Sequence, residues 1–238
     1  MKKFILVILA CITVLCANAQ DKVMKRPFVD RRVWHWGFSV GLNTQYLTIN
    51  NNGLAFNPQS QDGERQEWYA QTESYAPGFN VGVLGALRLN EFMELRIVPT
   101  LFFGERTVGF CDQLNNKRST QIIKSTYVGL PLELKIAGPR HVNFRPYALI
   151  GVLPVTDLTV KKDKEILLNR SDCMIEIAFG GEIYYDYFKL IPELKFCFGL
   201  RNMLCSKRTD LKDKNMLKYT ESVNSIYNKI VAFTLYFE

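Results

Sequence analysis

Charged residues recur at alternate positions inside runs that are otherwise apolar: Arg88, then Glu94 with Arg96, Glu133 with Lys135, Glu176 and Glu182, and finally Glu193, Lys195 and Arg201. In an extended chain, residues two apart share a face. If several such faces converge on one enclosed space, the acids and bases there must neutralise one another, because an isolated buried charge is costly. The chemistry on offer is ion pairing rather than turnover. Nucleophilic catalysis needs a nucleophile, a base within reach and an orienting group. The two histidines, His35 and His141, sit beside short connections, away from the long polar ones, and Glu64 with Glu67 reads as solvated loop charge. No catalytic residue is therefore expected, and no enzymatic activity. Beyond residue 19 the cysteines are Cys111, Cys173, Cys197 and Cys205. They form no CxxC pair and, with two histidines, no zinc spacing, so neither metal nor cofactor is expected. A Cys173–Cys205 disulfide and free thiols stand as equal alternatives.

The elements that carry these charges are strands. Period-two segments cover about residues 34 to 48, 78 to 90, 92 to 107, 121 to 137, 143 to 158, 172 to 186, 188 to 203 and 228 to 238. Each reaches or exceeds the ~9 to 11 residues that a tilted strand needs to cross a bilayer. Trp34, Trp36, Phe38, Val40 and Leu42 oppose Gly37, Ser39, Gly41 and Asn43, while Leu95, Ile97, Leu101 and Phe103 oppose Glu94, Arg96, Thr100 and Arg106. Val128, Leu130, Leu132 and Leu134 face away from Gly129, Glu133 and Lys135, and the last segment puts Val231, Phe233, Leu235 and Phe237 on one side. The segment from 143 is apolar on both parities. Short connections (Asn90 with Glu91, residues 138–142, Asp186 with Tyr187) alternate with long polar ones at 50–75, 109–119, 160–170 and 206–225. That alternation predicts an all-β fold, a transmembrane antiparallel up-and-down barrel of about eight strands, with the short turns in the periplasm. A barrel of this size is just filled by its own side chains. The ten charged residues named above are placed in its lumen. Pro99, Pro131, Pro146, Pro154 and Pro192 fall inside proposed strands, where bulges or frayed seams are expected.

Residues 1–19 read as a cleaved signal peptide: Lys2 and Lys3, an apolar run from Phe4 to Leu15, then Ala17-Asn18-Ala19. Residues 20–33 form a short periplasmic segment and residues 34–238 the barrel. The chain is 47% hydrophobic and 13% aromatic, as expected of a barrel with aromatic girdles. Its formal charge of +7 is spread out, which excludes a nucleic-acid stripe, and no small-molecule substrate is indicated.

Several stretches, "HWGFSVGLNT" (35–44), "RIVPTLFFGER" (96–106), "STYVGLPLELK" (125–135), "NFRPYALIGV" (143–152), "GEIYYDYFKLIPELKFCFGL" (181–200) and the closing "FTLYFE", resemble the PorT family of outer-membrane barrels. Gly129 stands where that family leads one to expect a glutamate. The resemblance implies a non-enzymatic component of type IX protein secretion, with gliding in some bacteria, whose partners are outer-membrane lipid and other secretion components. On that reading the loop at 49–76, with Trp68, Tyr69 and Tyr75, and the loop at 204–225 are the expected partner contacts. Trp68 and Tyr69 folding back on the rim is an equal alternative. A small channel or a surface-binding barrel, as in an adhesin or receptor, is the alternative function.

Overall fold

The structure is a computed structural model that describes residues 23–52, 54–56, 65–112, 117–160, 164–206, 208 and 216–238. The expected signal peptide lies outside the described residues. After a 3-10 turn at Val29–Arg31, the strands are β1 (Trp34–Asn51), β2 (Leu54–Phe56), β3 (Arg65–Arg88), β4 (Met93–Ile97), β5 (Thr100–Asp112), β6 (Lys117–Gly129), β7 (Leu132–Ala137), β8 (Phe144–Asp157), β9 (Ser171–Tyr184), β10 (Lys189–Gly199) and β11 (Val223–Phe237). A short helix, α1 (Leu217–Glu221), precedes β11.

Every strand pairing is antiparallel, and β1 pairs with β11 on one side and β3 on the other, so the sheet closes on itself. Two positions in the wall are each filled by two collinear strands, β4 with β5 and β6 with β7. Their breaks fall at Val98-Pro99 and Leu130-Pro131, side by side, because proline cannot donate to the ladder. Thus eight wall positions form the ring, with β2 as a small ribbon on the outer part of β3. Pro146, Pro154 and Pro192 stay in register opposite Gly181, Cys173 and Leu235.

Period two decides which side chains meet lipid. Trp34, Trp36, Phe38, Val40 and Leu42 are exposed on the outer wall, with Trp36 70% accessible, and Val83, Leu101, Ile150, Ile177 and Phe233 continue the band around the ring. On the other parity Ser39, Asn43, Leu84, Phe102, Leu149 and Ala178 are buried in the lumen. The segment that was apolar on both parities is resolved here: Tyr147, Leu149, Leu153 and Val155 point in, Ile150 and Val152 out. On the long-loop side the apolar band ends at an exposed ion pair, Lys124 with Glu105, 3.3 Å apart.

Two expected loops prove to be largely strand. β3 begins at Arg65, so most of 65–77 is extended wall, and β5 and β6 run on to Asp112 and from Lys117. Register shifts at Thr72/Ser74 and Ala76/Phe79 absorb irregularities around Pro77. Cys111, Cys173 and Cys197 carry free thiols, so Cys173 does not bridge to Cys205.

Candidate functional site

The lumen is filled in layers. At the short-turn end, His35 Nδ1 lies 2.5 Å from Glu238 Oε1, joining the first strand to the residue after the last. Lys189 Nζ reaches Glu238 Oε2 at 2.8 Å and Glu182 Oε1 at 3.3 Å. Tyr184 Oη lies 2.7 Å from both Glu182 Oε2 and Asp30 Oδ1. Arg140 completes this end: its guanidinium stacks 3.5 Å over the Tyr184 ring, holds Asp30 at 3.1 Å and donates to the Lys25 carbonyl. The N-terminal segment is thereby strapped across the mouth.

Above it lies the charge network. Antiparallel register sets Glu94 opposite Lys135 and Arg96 opposite Glu133 on β4 and β7, unlike charges facing across the ladder. Lys135 Nζ bonds Glu182 and reaches Glu94 Oε2 at 3.1 Å. Arg96 donates to Glu94 at 3.1 Å and to Glu193 at 3.3 Å. Glu193 also accepts from Tyr147 Oη at 2.6 Å and Tyr236 Oη at 3.1 Å. Lys195 Nζ sits 2.7 Å from Glu133, 3.0 Å from Glu176 and 3.5 Å from Glu193. Tyr147 reaches this cluster by crossing Gly180, its register partner on β9, where a Cβ would stand 2.5 Å from the phenol ring. Glycine is needed there for that close approach.

An apolar layer follows, with Phe102, Leu153, Val155, Met174 and Ile230. Gly129 opens onto it: a Cβ there would meet Leu153 and Phe102. Any glutamate at that position would enter this apolar layer. Higher still, Arg106 donates to Tyr127 Oη (2.6 Å), Ser125 Oγ (3.0 Å) and Asn228 Oδ1 (3.1 Å). The long-loop end is stoppered by Ile166, Leu168, Met203 and Leu204, which dip from the connections onto Val108, Phe110 and Ile226.

Of the ten charges expected in the lumen, Glu94, Arg96, Glu133, Lys135, Glu176, Glu182, Glu193 and Lys195 converge there. Two do not. Arg88, at the end of β3, is half-buried and donates to the Asn90 carbonyl in the turn, because the strand has reached the rim. Arg201 lies past the end of β10 and is exposed, its backbone N–H meeting Asp172. The expected loop aromatics also need correction, since all three belong to β3. Trp68 points inward, 5% exposed, with Tyr219 of α1 edge-on at 5.3 Å and Lys218 Nζ 4.4 Å above its face. Tyr69 is outside, bonded to Glu67, and Tyr75 packs on Tyr46. Residues 207 and 209–215 of the second expected contact loop lie outside the described residues, and its start, Leu204, is buried in the stopper. Lys189, Glu238, Tyr147 and Tyr236 were missed, while Arg106 and Tyr184 share the parity of the charged faces without being counted among the ten. Their parity on the strands was the available signal.

Among the described residues no group of three or more His, Cys, Asp or Glu could hold a metal ion. The geometry defines a closed transmembrane barrel with an ion-paired, stoppered interior. In agreement, the family model for "Outer membrane protein beta-barrel domain" matches residues 18–204, and the chain belongs to that family. The ring-closing strand β11 lies beyond the matched segment. None of the curated proteins compared with the chain matches it. The protein is thus an outer-membrane β-barrel whose apolar wall sits in the lipid bilayer.

Proposed function

We propose that this barrel is a non-enzymatic accessory or assembly component of type IX protein secretion, exported by way of its N-terminal signal sequence. The secretion role rests on the resemblance of its strand motifs to the PorT family. One structural observation carries the rest of the reading. From the Arg140 strap to the Ile166–Leu204 stopper, the described interior is occupied by paired charges and packed apolar side chains. A lumen so filled has no need of a conduit role, and work falls to the rims and outer surfaces, which favours an anchor or docking component over a channel.

Deleting the gene and comparing the secreted proteomes tests the role. Cargo retained in the periplasm is expected, and an unchanged secreted proteome refutes it. Pure protein in planar bilayers tests the filled lumen separately. Large, steady conductance would restore the channel reading.

A further inference from the structure

Among the described residues, the ring of pairings is complete near the membrane and incomplete above it. β8 leaves β6 after three paired positions, the outermost being Tyr127 with Asp157, whereas β6 continues outward to Lys117. Beyond that point β6 is paired with β5 on one side only, among the described residues. Direction is set by the last bonds: Thr126 donates its N–H toward Asp157 Oδ1 and Thr159 Oγ1, and its carbonyl accepts from Leu158. By strand alternation the backbone groups of Lys124, Ile122 and Thr120 turn to the same open side. Thr159 Oγ1 caps the Lys124 carbonyl at 2.9 Å, as an end to the native ladder.

A cavity of about 240 Å³ runs along this edge, lined by Ile122, Lys124, Val160, Lys164, Ile166 and Leu168 among others. Its floor is fixed: Gln121 clasps the Ile166 backbone through both amide atoms, at 3.0 and 2.7 Å, so the 164–168 segment is tied into the barrel and away from the edge. Ile122 is 58% exposed beside it, and two exposed lysines flank it, Lys164 and Lys124, the latter also pairing with Glu105 at 3.3 Å in a solvent-exposed bridge that an incoming carboxylate can share. An open row of alternating N–H and C=O groups is a ready template on which another extended chain can pair as a strand, displacing water.

We infer that the outer edge of β6, from Thr120 to Lys124, is a docking site for an extended polypeptide segment that adds as a strand, with apolar side chains for the cavity alternating with acidic ones for Lys124 and Lys164. This surface does not depend on the secretion role.

The probe is a fluorescein-labelled peptide of about nine residues alternating valine and glutamate, a length that spans such an edge. It is titrated into the full-length barrel folded in detergent micelles. Saturable binding is expected, weakened roughly tenfold or more when alternate amides of the peptide are N-methylated, because two or three backbone bonds are lost while the charges stay. Lys124→Glu with Lys164→Glu should weaken binding in low salt. Hydrogen exchange on the unaltered protein provides a readout that needs no variant: the Thr120, Ile122 and Lys124 amides should exchange freely alone and become protected with the peptide. Absence of saturable binding, equal binding of the N-methylated peptide, or amides already protected in the free barrel would each overturn the proposal.

Discussion

Replacing Lys195 by methionine isolates what the ion-paired lumen contributes. The ammonium is shared by Glu133, Glu176 and Glu193 at 2.7, 3.0 and 3.5 Å, and all four side chains are almost wholly buried. Methionine keeps the length and removes the charge, leaving three carboxylates facing one another, with the Arg96 cation 3.3 Å from Glu193 and the Tyr147 and Tyr236 hydroxyls on that same residue. Removing one partner from a buried pair costs about 3–5 kcal/mol, largely through the uncompensated charge that remains. With a urea slope of ~2 kcal/mol/M, the unfolding midpoint should fall by roughly 2 M. The assay is urea unfolding of the barrel refolded into lipid vesicles, followed by the fluorescence of Trp34 and Trp36, which sit on the lipid-facing wall. Adding Glu133→Gln and Glu176→Gln to the Lys195→Met protein should restore most of the loss, since the carboxylates that needed the ammonium are then neutral. A shift below ~0.5 M for Lys195→Met, or a triple variant no more stable than the single one, would show that the lumen charges are hydrated and not mutually dependent.

Other expectations use the same unfolding measurement. Phe38→Arg, on the lipid-facing wall, should cost about 2–4 kcal/mol, and Trp34→Arg, nearer the short-turn edge, about 0–1, a depth dependence that a water-facing wall would lack. Gly180→Val drives a side chain into the Tyr147 ring, for an overpacking loss of about 1–3 kcal/mol, and adding Tyr147→Phe should cost little further because the displaced ring no longer holds its Glu193 bond. Tyr219, outside the membrane span, has its phenol held above the usual 10.0, chiefly by burial and then by Glu165. The folded form thus keeps its proton longer than the unfolded one, and the seat of α1 over Trp68 should be intact below pH ~10 and loosen as pH climbs through the raised value. Limited proteolysis near α1 should show that alkaline step, and Tyr219→Phe should abolish it.

The membrane-spanning part of the wall was legible in the sequence because lipid outside and a filled lumen inside impose strict alternation, as Trp34 to Asn43 illustrates. Where that contrast ends, so does the signal. From Arg65 to Ala76 water lies outside β3, so Gln66, Glu67, Gln71, Thr72, Glu73 and Ser74 read as loop although the backbone is extended. Trp68 and Ala70, the inward residues of that stretch, were the only hint, and an aromatic among polar residues looks equally like a surface anchor. The lumen charges were readable by parity until the strands ended. Arg88 and Arg201 obey the parity but lie at or beyond strand ends, and strand ends are the least defined feature of a periodic pattern. The phenols of Tyr147 and Tyr236 escaped notice since tyrosine suits lipid interface and lumen alike.

β3 is 24 residues long, more than twice the ~9 to 11 that cross the bilayer at the usual tilt. At ~3.3 Å per residue it measures roughly 80 Å, so over half of it stands clear of the hydrocarbon, shored up by the upper reaches of β5 and β6. The molecule is lopsided, a low rampart on one flank and a mast on the other. Anything that meets the mast's upper part does so well clear of the hydrocarbon, without having to displace the outer leaflet.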